Sequence, residues 1–305
     1  MLSQPLASQP WQQTESSGGI PRVPDRREDA FRSLMASPSL RRDFKDGFLT
    51  QIFNVMDNEQ LFRMVVKATR DPENKSDIEI YRALQRLLSD SGGLLAAGMK
   101  TFKQLKQVSS QKKELAREVS AMVARLGKFG QLHDYLSIGD AGRMVLPLRT
   151  ALEMKGRCWV AHATYSDDIP AVVERGSLDP VGVQVTWQLL EAGAFDVPNE
   201  AADLVTMMQG LHHIPQKHLQ QFLKEVFRVL RPGGLFIFRE HDASPELMPM
   251  LDLAHNVYNA VMGVTDNEEE REIRAFRPVS QWRHILKTVG FEDSMPRGSC
   301  SVPKA

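Results

Sequence analysis

The sequence predicts two fold classes in one chain: an all-α segment, then an α/β segment with a mostly parallel sheet and helices on both faces. Three observations carry this. Up to about Gly130, apolar residues recur at three- and four-residue steps, the period of an amphipathic helix. After Gly130, short apolar runs alternate with helical stretches, the texture of strands joined by helical crossovers. The charge changes sign at the same place. Residues 1–130 carry 21 basic and 15 acidic side chains, and the remainder 17 and 23.

Residues 1–28 mix Gln, Ser, Gly, Pro and charge and read as a flexible tail. Residues 29–130 read as a helical domain. Phe44, Phe48, Ile52 and Phe53 make one apolar stripe. Asp57-Asn58-Glu59-Gln60 resembles a capping box opening a helix with Leu61, Phe62, Val65 and Val66, which ends near Asp71-Pro72. A third helix runs from about Ser76 to Ser91, and a fourth carries Leu115, Val119, Met122, Val123 and Leu126. Gly127 and Gly130 break the helical period, so the second domain takes 131–305.

In that domain strands are expected at 135–138, 157–161, 183–189, 203–208 and 235–238. Helices are expected at 143–154, 216–230, 245–262 and 281–289. The run Glu268 to Glu272 reads as a solvated helical face.

The chain has 305 residues, 42% of them hydrophobic and 25% charged, with zero formal charge. That is ordinary globular usage, and its basic residues are too dispersed for a nucleic-acid-binding face. No run approaches the ~18 apolar residues of a membrane span, and the first residues have neither a basic start nor an apolar core. Two cysteines, Cys158 and Cys300, lack metal-ligand spacing and fit a reducing compartment. A cytoplasmic protein with no membrane and no nucleic-acid partner is expected.

The block from Glu191 to Asp242 holds several motifs in a fixed order. They are Glu191-Ala192, Asp196-Val197-Pro198-Asn199-Glu200, Asp203-Leu204-Val205-Thr206, Leu211-His212-His213-Ile214-Pro215, and Arg231-Pro232-Gly233-Gly234 opening a strand. This block resembles the central part of type-11 class I methyltransferases, which use S-adenosyl-L-methionine (SAM). The resemblance extends from about Tyr135 to Asp293 and implies a Rossmann-like class I methyltransferase domain. It also implies SAM as cofactor, bound at the carboxyl ends of the strands where their order reverses.

The first strand-to-helix turn is Gly139-Asp140-Ala141-Gly142-Arg143, where the family usually reads Gly-x-Gly-x-Gly. Ser137 stands where the family has an acid on strand one. The family also expects an acid after strand two, because a carboxylate is a two-oxygen acceptor suited to the ribose diol. Here His162 stands there, with Asp167 and Asp168 further on. Glu191 takes the position that often contacts the adenine amino group. The resemblance therefore assigns cofactor contacts to Gly139, Asp140, Ala141, Gly142, His162, Glu191 and His212.

His212-His213 follow strand four, at the end where cofactor and acceptor would meet. Either one serves as a base or one caps the loop. Arg239-Glu240-His241-Asp242 end strand five on the same edge, with Glu240 or His241 as base and Arg239 as an anion contact. Candidate catalytic residues are thus His213, Glu240 and His241. His241, Asp242 and His255 do not have diagnostic ligand spacing, and no metal is expected.

The expected function is methyl transfer from SAM to a small-molecule or peptide acceptor, the helical domain shaping the acceptor pocket or making a homodimer. Two alternatives stay open. One is an inactive methyltransferase-like scaffold or partner subunit, and the other a SAM pocket turned to non-methyl chemistry.

Overall fold

In the computed structural model, five parallel strands stand in the order β3-β2-β1-β4-β5. The structure describes residues 29–52, 57–71, 73–74, 76–91, 112–162, 175–187 and 194–294, with Val23 and Val172. The strands are β1 (Tyr135–Ile138), β2 (Cys158–His162), β3 (Val183–Thr186), β4 (Ala202–Met208) and β5 (Leu230–Arg239). β1 pairs with β2 on one side and β4 on the other, Tyr135 lying opposite both Cys158 and Leu204. The order therefore reverses at β1, which opens a crevice between the carboxyl ends of β1 and β4.

Side chains alternate across a strand, and here both faces are apolar because helices cover both. Leu136, Ile138, Trp159, Ala161, Val205 and Met207 enter one core. There they meet Leu219, Phe222, Leu223 and Val226 of the helix Gln216–Val229, and Trp282, Ile285 and Leu286 of the helix Val279–Val289. Tyr135, Cys158, Val160, Leu204 and Leu235 enter the opposite core. It is completed by Val145 and Leu148 of the helix Val145–Ala151 and by Ala116, Val119 and Val123 of helical residues 112–125. The helix at 112–125 thus shares its core with the sheet.

The earlier helices are α1 (Ala30–Ala36), α2 (Pro38–Arg42), α3 (Asn58–Arg70) and α4 (Asp77–Asp90). Between α2 and α3 the chain makes a π-helical stretch, Asp43–Ile52, around which the stripe residues Phe44 and Phe48 are buried. Phe53 lies outside the described residues. Asp57 caps α3 by accepting the Gln60 N–H, and Ser76 with Glu79 forms a full capping box on α4. With helices 112–125 and Val145–Ala151 as α5 and α6, the later helices are α7 (Gln216–Val229), α8 (Met248–Met262), α9 (Asp266–Arg271) and α10 (Val279–Val289). Phe31, Leu34, Leu61, Val65, Ile80 and Leu84 share a core with Leu253, Ala254, Val257 and Ala260 of α8. The N-terminal helices therefore pack on a helix that follows the last described strand.

The strand expected at 235–238 begins earlier. β5 takes in Arg231-Pro232-Gly233-Gly234 as an irregular stretch, Leu230 pairing with Ala202 and Leu235 with Leu204. Five residues of β5 thus advance against two of β4, a bulge that absorbs the expected turn. The run Glu268 to Glu272 is not a uniformly solvated face. Glu269 is fully buried and paired with Arg274 at 2.6 Å.

Candidate active site

The turn after β1 is shaped by its glycines and by Asp140. Gly139 and Gly142 have φ of +87° and +89°, in the left-handed region that strains other residues. A Cβ on Gly142 would lie 2.5 Å from Val181 Cγ2, so that position also requires glycine for space. Asp140 Oδ1 accepts the N–H groups of Gly142 at 2.8 Å and Arg143 at 3.1 Å, and the Ser137 hydroxyl donates to it at 3.2 Å. A carboxylate thus stands at the end of β1 although Ser137 occupies the strand position. Ala141 lies between the two glycines. His162 closes β2, and its carbonyl accepts the Trp187 N–H. Asp167, Asp168 and Glu191 lie outside the described residues.

Beyond the ends of β4 and β5 the structure gathers histidines from three elements. Gln209, with φ of +58°, and Gly210 lead from β4 into the 3₁₀ turn Leu211–His213. Glu240, directly after β5, holds that turn. Its Oε1 accepts the Leu211 N–H at 2.6 Å, and its Oε2 lies 2.7 Å from His212 Nδ1. Both side chains are 1% exposed. Burial pushes the Glu240 carboxyl up to about 7, against the pull of His241 and of the Leu211 N–H. Burial, with His213, His241 and Arg274 nearby, holds the His212 imidazole well below its usual range. Both groups favour their neutral forms for one reason, the dry surroundings.

Around the His212 ring stand His213 at 4.1 Å, His255 of α8 at 5.4 Å, His241 at 5.5 Å and Phe276 at 4.8 Å between centroids. His255 Nδ1 lies 2.9 Å from the Leu251 carbonyl one turn back, and His213 Nδ1 lies 2.8 Å from the Ile273 carbonyl. A carbonyl only accepts, so each neutral ring carries its hydrogen on Nδ1 and a lone pair on Nε2.

Residues 272–278 form a roof that sequence reading missed. The Ala275 N–H donates to the His212 carbonyl at 2.8 Å, and the Ala243 N–H to the Arg277 carbonyl. Arg274 is buried and holds the roof down. It donates to Glu269 at 2.6 Å, to Glu272 at 2.5 Å and to the Asn256 side chain, while Asn259 donates to both glutamates. An Arg beside an acidic run was a visible signal, but nothing local shows that the run turns inward.

His212, His213, Glu240 and His241 are therefore brought together, with His255. Asp242, which the sequence would group with His241 and His255, instead caps α10 by accepting the Val279 N–H at 2.9 Å. Arg239 is exposed, and so is Tyr258, one face away from Asn259. As a set, these groups offer a buried carboxyl group, imidazole lone pairs and a water-poor enclosure beside the glycine turn.

Residues 147–238 match the model of a family described as "Methyltransferase domain". A ubiquinone/menaquinone biosynthesis C-methyltransferase of Bartonella henselae is 29% identical over 146 residues, 43% of this chain and 55% of that protein. A carboxy-S-adenosyl-L-methionine synthase of Yersinia pestis is 26% identical over 162 residues, 50% and 54% of the two chains. The chain spans about half the length of the curated relatives it matches. Human N-acetylserotonin methyltransferase, solved with SAM, is 15% identical with a TM-score of 0.39, covering 87% of this chain and 65% of that one. The family match lies across β2 to β5 of a parallel sheet whose strand order reverses at a glycine turn, so the sheet-bearing part of this chain is similar to class I SAM-dependent methyltransferase domains.

Proposed function

We propose that the chain transfers the methyl group of SAM to a small-molecule or peptide acceptor presented to the histidine cluster. One observation carries this. The glycine turn at the strand reversal and the His212–Glu240 pair stand at the carboxyl ends of neighbouring strands, β1, β4 and β5. A bound SAM supplies an electrophilic sulfonium methyl, so the protein need only align a nucleophile, exclude water and accept a proton. The turn fits that cofactor. A Cβ at Gly139 would meet Met207 at 3.6 Å and stand on a strained backbone, whereas glycine leaves the main chain open to close approach.

In this reading Gly139 to Gly142 and His162 contact the nucleoside, with Glu191 toward the adenine. Glu240 is a positioning residue, since it is buried and holds both Leu211 and His212. His213 is the base. Its Nδ1–H is tied to Ile273, its Nε2 is able to accept, and its side chain is 26% exposed. His241, which burial pushes below its usual range, lines the acceptor. The N-terminal helices act through α8, which they grip on one face while His255 looks out from another.

His213→Ala should lower kcat about 10²–10⁴-fold. The SAM dissociation constant, read by calorimetry, should stay within about threefold, since the imidazole is assigned to proton transfer and not to the cofactor. Equal loss of SAM affinity would assign His213 to the cofactor instead. Absence of binding by both SAM and S-adenosylhomocysteine would remove the enzymatic reading.

A further inference from the structure

We propose that His212, His241 and His255 form a site for a divalent transition-metal ion of the zinc class, with one coordination position left for the methyl acceptor. The acceptor clause rests on the methyltransferase reading above; the metal site does not.

Three observations support it. One ligand nitrogen from each of these residues lies within 4.8 Å of the other two, although they come from a turn after β4, the segment just after β5 and α8. Zinc–nitrogen bonds of about 2.0–2.1 Å would set such atoms about 3.3 Å apart, so binding draws the rings together by side-chain rotation. Second, on two of the three rings the Nδ1 atom is already engaged, which leaves Nε2 for a ligand role. Leu251 takes His255 Nδ1, and Glu240 takes His212 Nδ1 at 2.7 Å. A carboxylate or carbonyl behind the ring is the arrangement that orients metal-binding imidazoles and fixes their tautomer. Third, His212 Nε2 is buried with no hydrogen-bond partner. A buried imidazole nitrogen without a partner is costly, and a cation answers it.

The surroundings suit an ion of this kind. Phe276 packs on all three rings, at 4.8, 5.6 and 5.1 Å from His212, His241 and His255, and gives the site an apolar wall. Arg274 is the near cation, but Glu269 and Glu272 pair with it, and Glu240 places a carboxyl group on the ligand side that a bound cation would ionise. Plain ring packing would be met as well by Phe or Leu. It gives no reason for the tied Nδ1 atoms of His212 and His255. Three neutral imidazoles favour zinc, cobalt or iron over magnesium or calcium, which prefer oxygen. A hydroxyl or thiol of the acceptor bound at the open position would ionise more readily, its proton passing to His213 Nε2 and its anion remaining on the metal for methylation.

Protein stripped with chelator is titrated with Co²⁺ and followed by its visible ligand-field band and by equilibrium dialysis. One ion per chain is expected, displaced by Zn²⁺. His241→Gln and His255→Gln should abolish stoichiometric binding, and Glu240→Gln should weaken it about 10–100-fold. His284→Gln, on an exposed position of α10, should change nothing. No stoichiometric binding by the wild type, or binding unaltered in both His241→Gln and His255→Gln, overturns the site. If those variants fail to fold by circular dichroism, the wild-type spectrum decides. An imidazole-type tetrahedral band supports the site, and an octahedral aquo-like spectrum overturns it. SAM titration of the same samples separates the two proposals. Cobalt bound without SAM affinity supports the site and removes the methyltransferase reading, and the reverse does the opposite.

Discussion

Cys158 shows how one position on a buried strand sets chemical reactivity. It lies on β2, opposite Tyr135, with Val160, Leu204 and Met154 in the same core. Burial pushes its thiol up to about 11, against the pull of Arg149. The thiolate is the reactive form, so at pH 8 the native protein holds almost none of it. Cys158 should therefore react with a maleimide or disulfide reagent at least about 10²-fold more slowly than an unfolded-peptide thiol. Labelling rates with and without denaturant, resolved by peptide mass, check this, and fast native labelling would mean that β2 opens. The same dryness explains Glu240 and His212, where the polar groups face each other across 2.7 Å and each favours its neutral form.

At the scale of elements, the amino ends of β1, β4 and β5 are tied by charge at the edge opposite the candidate site. Arg231 donates to Asp134 at 2.7 Å and pairs with Asp203 at 2.8 Å, while Asp203 accepts the N–H groups of His133 and Asp134 at 2.9 Å each. Burial works against the Asp203 carboxylate, but the Asp134 N–H, the Arg231 guanidinium and the His133 N–H together hold it below the usual aspartate range. A carboxyl lowered by folding contributes stability above its unfolded value and loses it as pH falls through the folded one. Asp203→Asn should cost about 1 kcal/mol at pH 7, a modest figure because solvent screens the cluster. The difference should shrink as pH falls below the ordinary aspartate range and through the lowered folded value. Denaturant midpoints of variant and wild type across pH 2.5–7 measure it; a gap that stays constant would show that Asp203 acts only through hydrogen bonds to the neutral form.

For the whole molecule, the question is whether the N-terminal helices and the sheet respond as one. Leu84 is fully buried in the core that α1, α3 and α4 share with Val257 and Leu253 of α8. Tyr81 and Gln85 both donate to the Val264 carbonyl just past α8, and Arg82 meets Asp266 at 2.6 Å. Leu84→Ala should lower stability by about 2–5 kcal/mol, the usual cost of a cavity left by a buried leucine. Because α8 belongs to that core, hydrogen exchange should accelerate in α8 as well as in α3 and α4. Protection in α8 unchanged by the substitution would separate the helical segment from the sheet energetically. Among the described residues, no helix is long and apolar enough to cross a membrane.

The strands around β1, the helices that begin at Gln216 and near Gln281 and the helix cap at Asp57 were legible in the sequence, because period, capping and turn chemistry act within a few residues. So was the edge on which His212, His213, Glu240 and His241 gather, since each follows a strand in a recognisable order. The inward turn of Glu269, the roof at 272–278 and the exchange of Asp242 for His212 beside His255 were not. These depend on where α8 settles between the N-terminal helices and the sheet. That placement is fixed by contacts between residues more than a hundred positions apart, such as Tyr81 with Val264, and no local pattern in the chain records them. Short-range chemistry chose the elements; only their packing decided which histidines face one another.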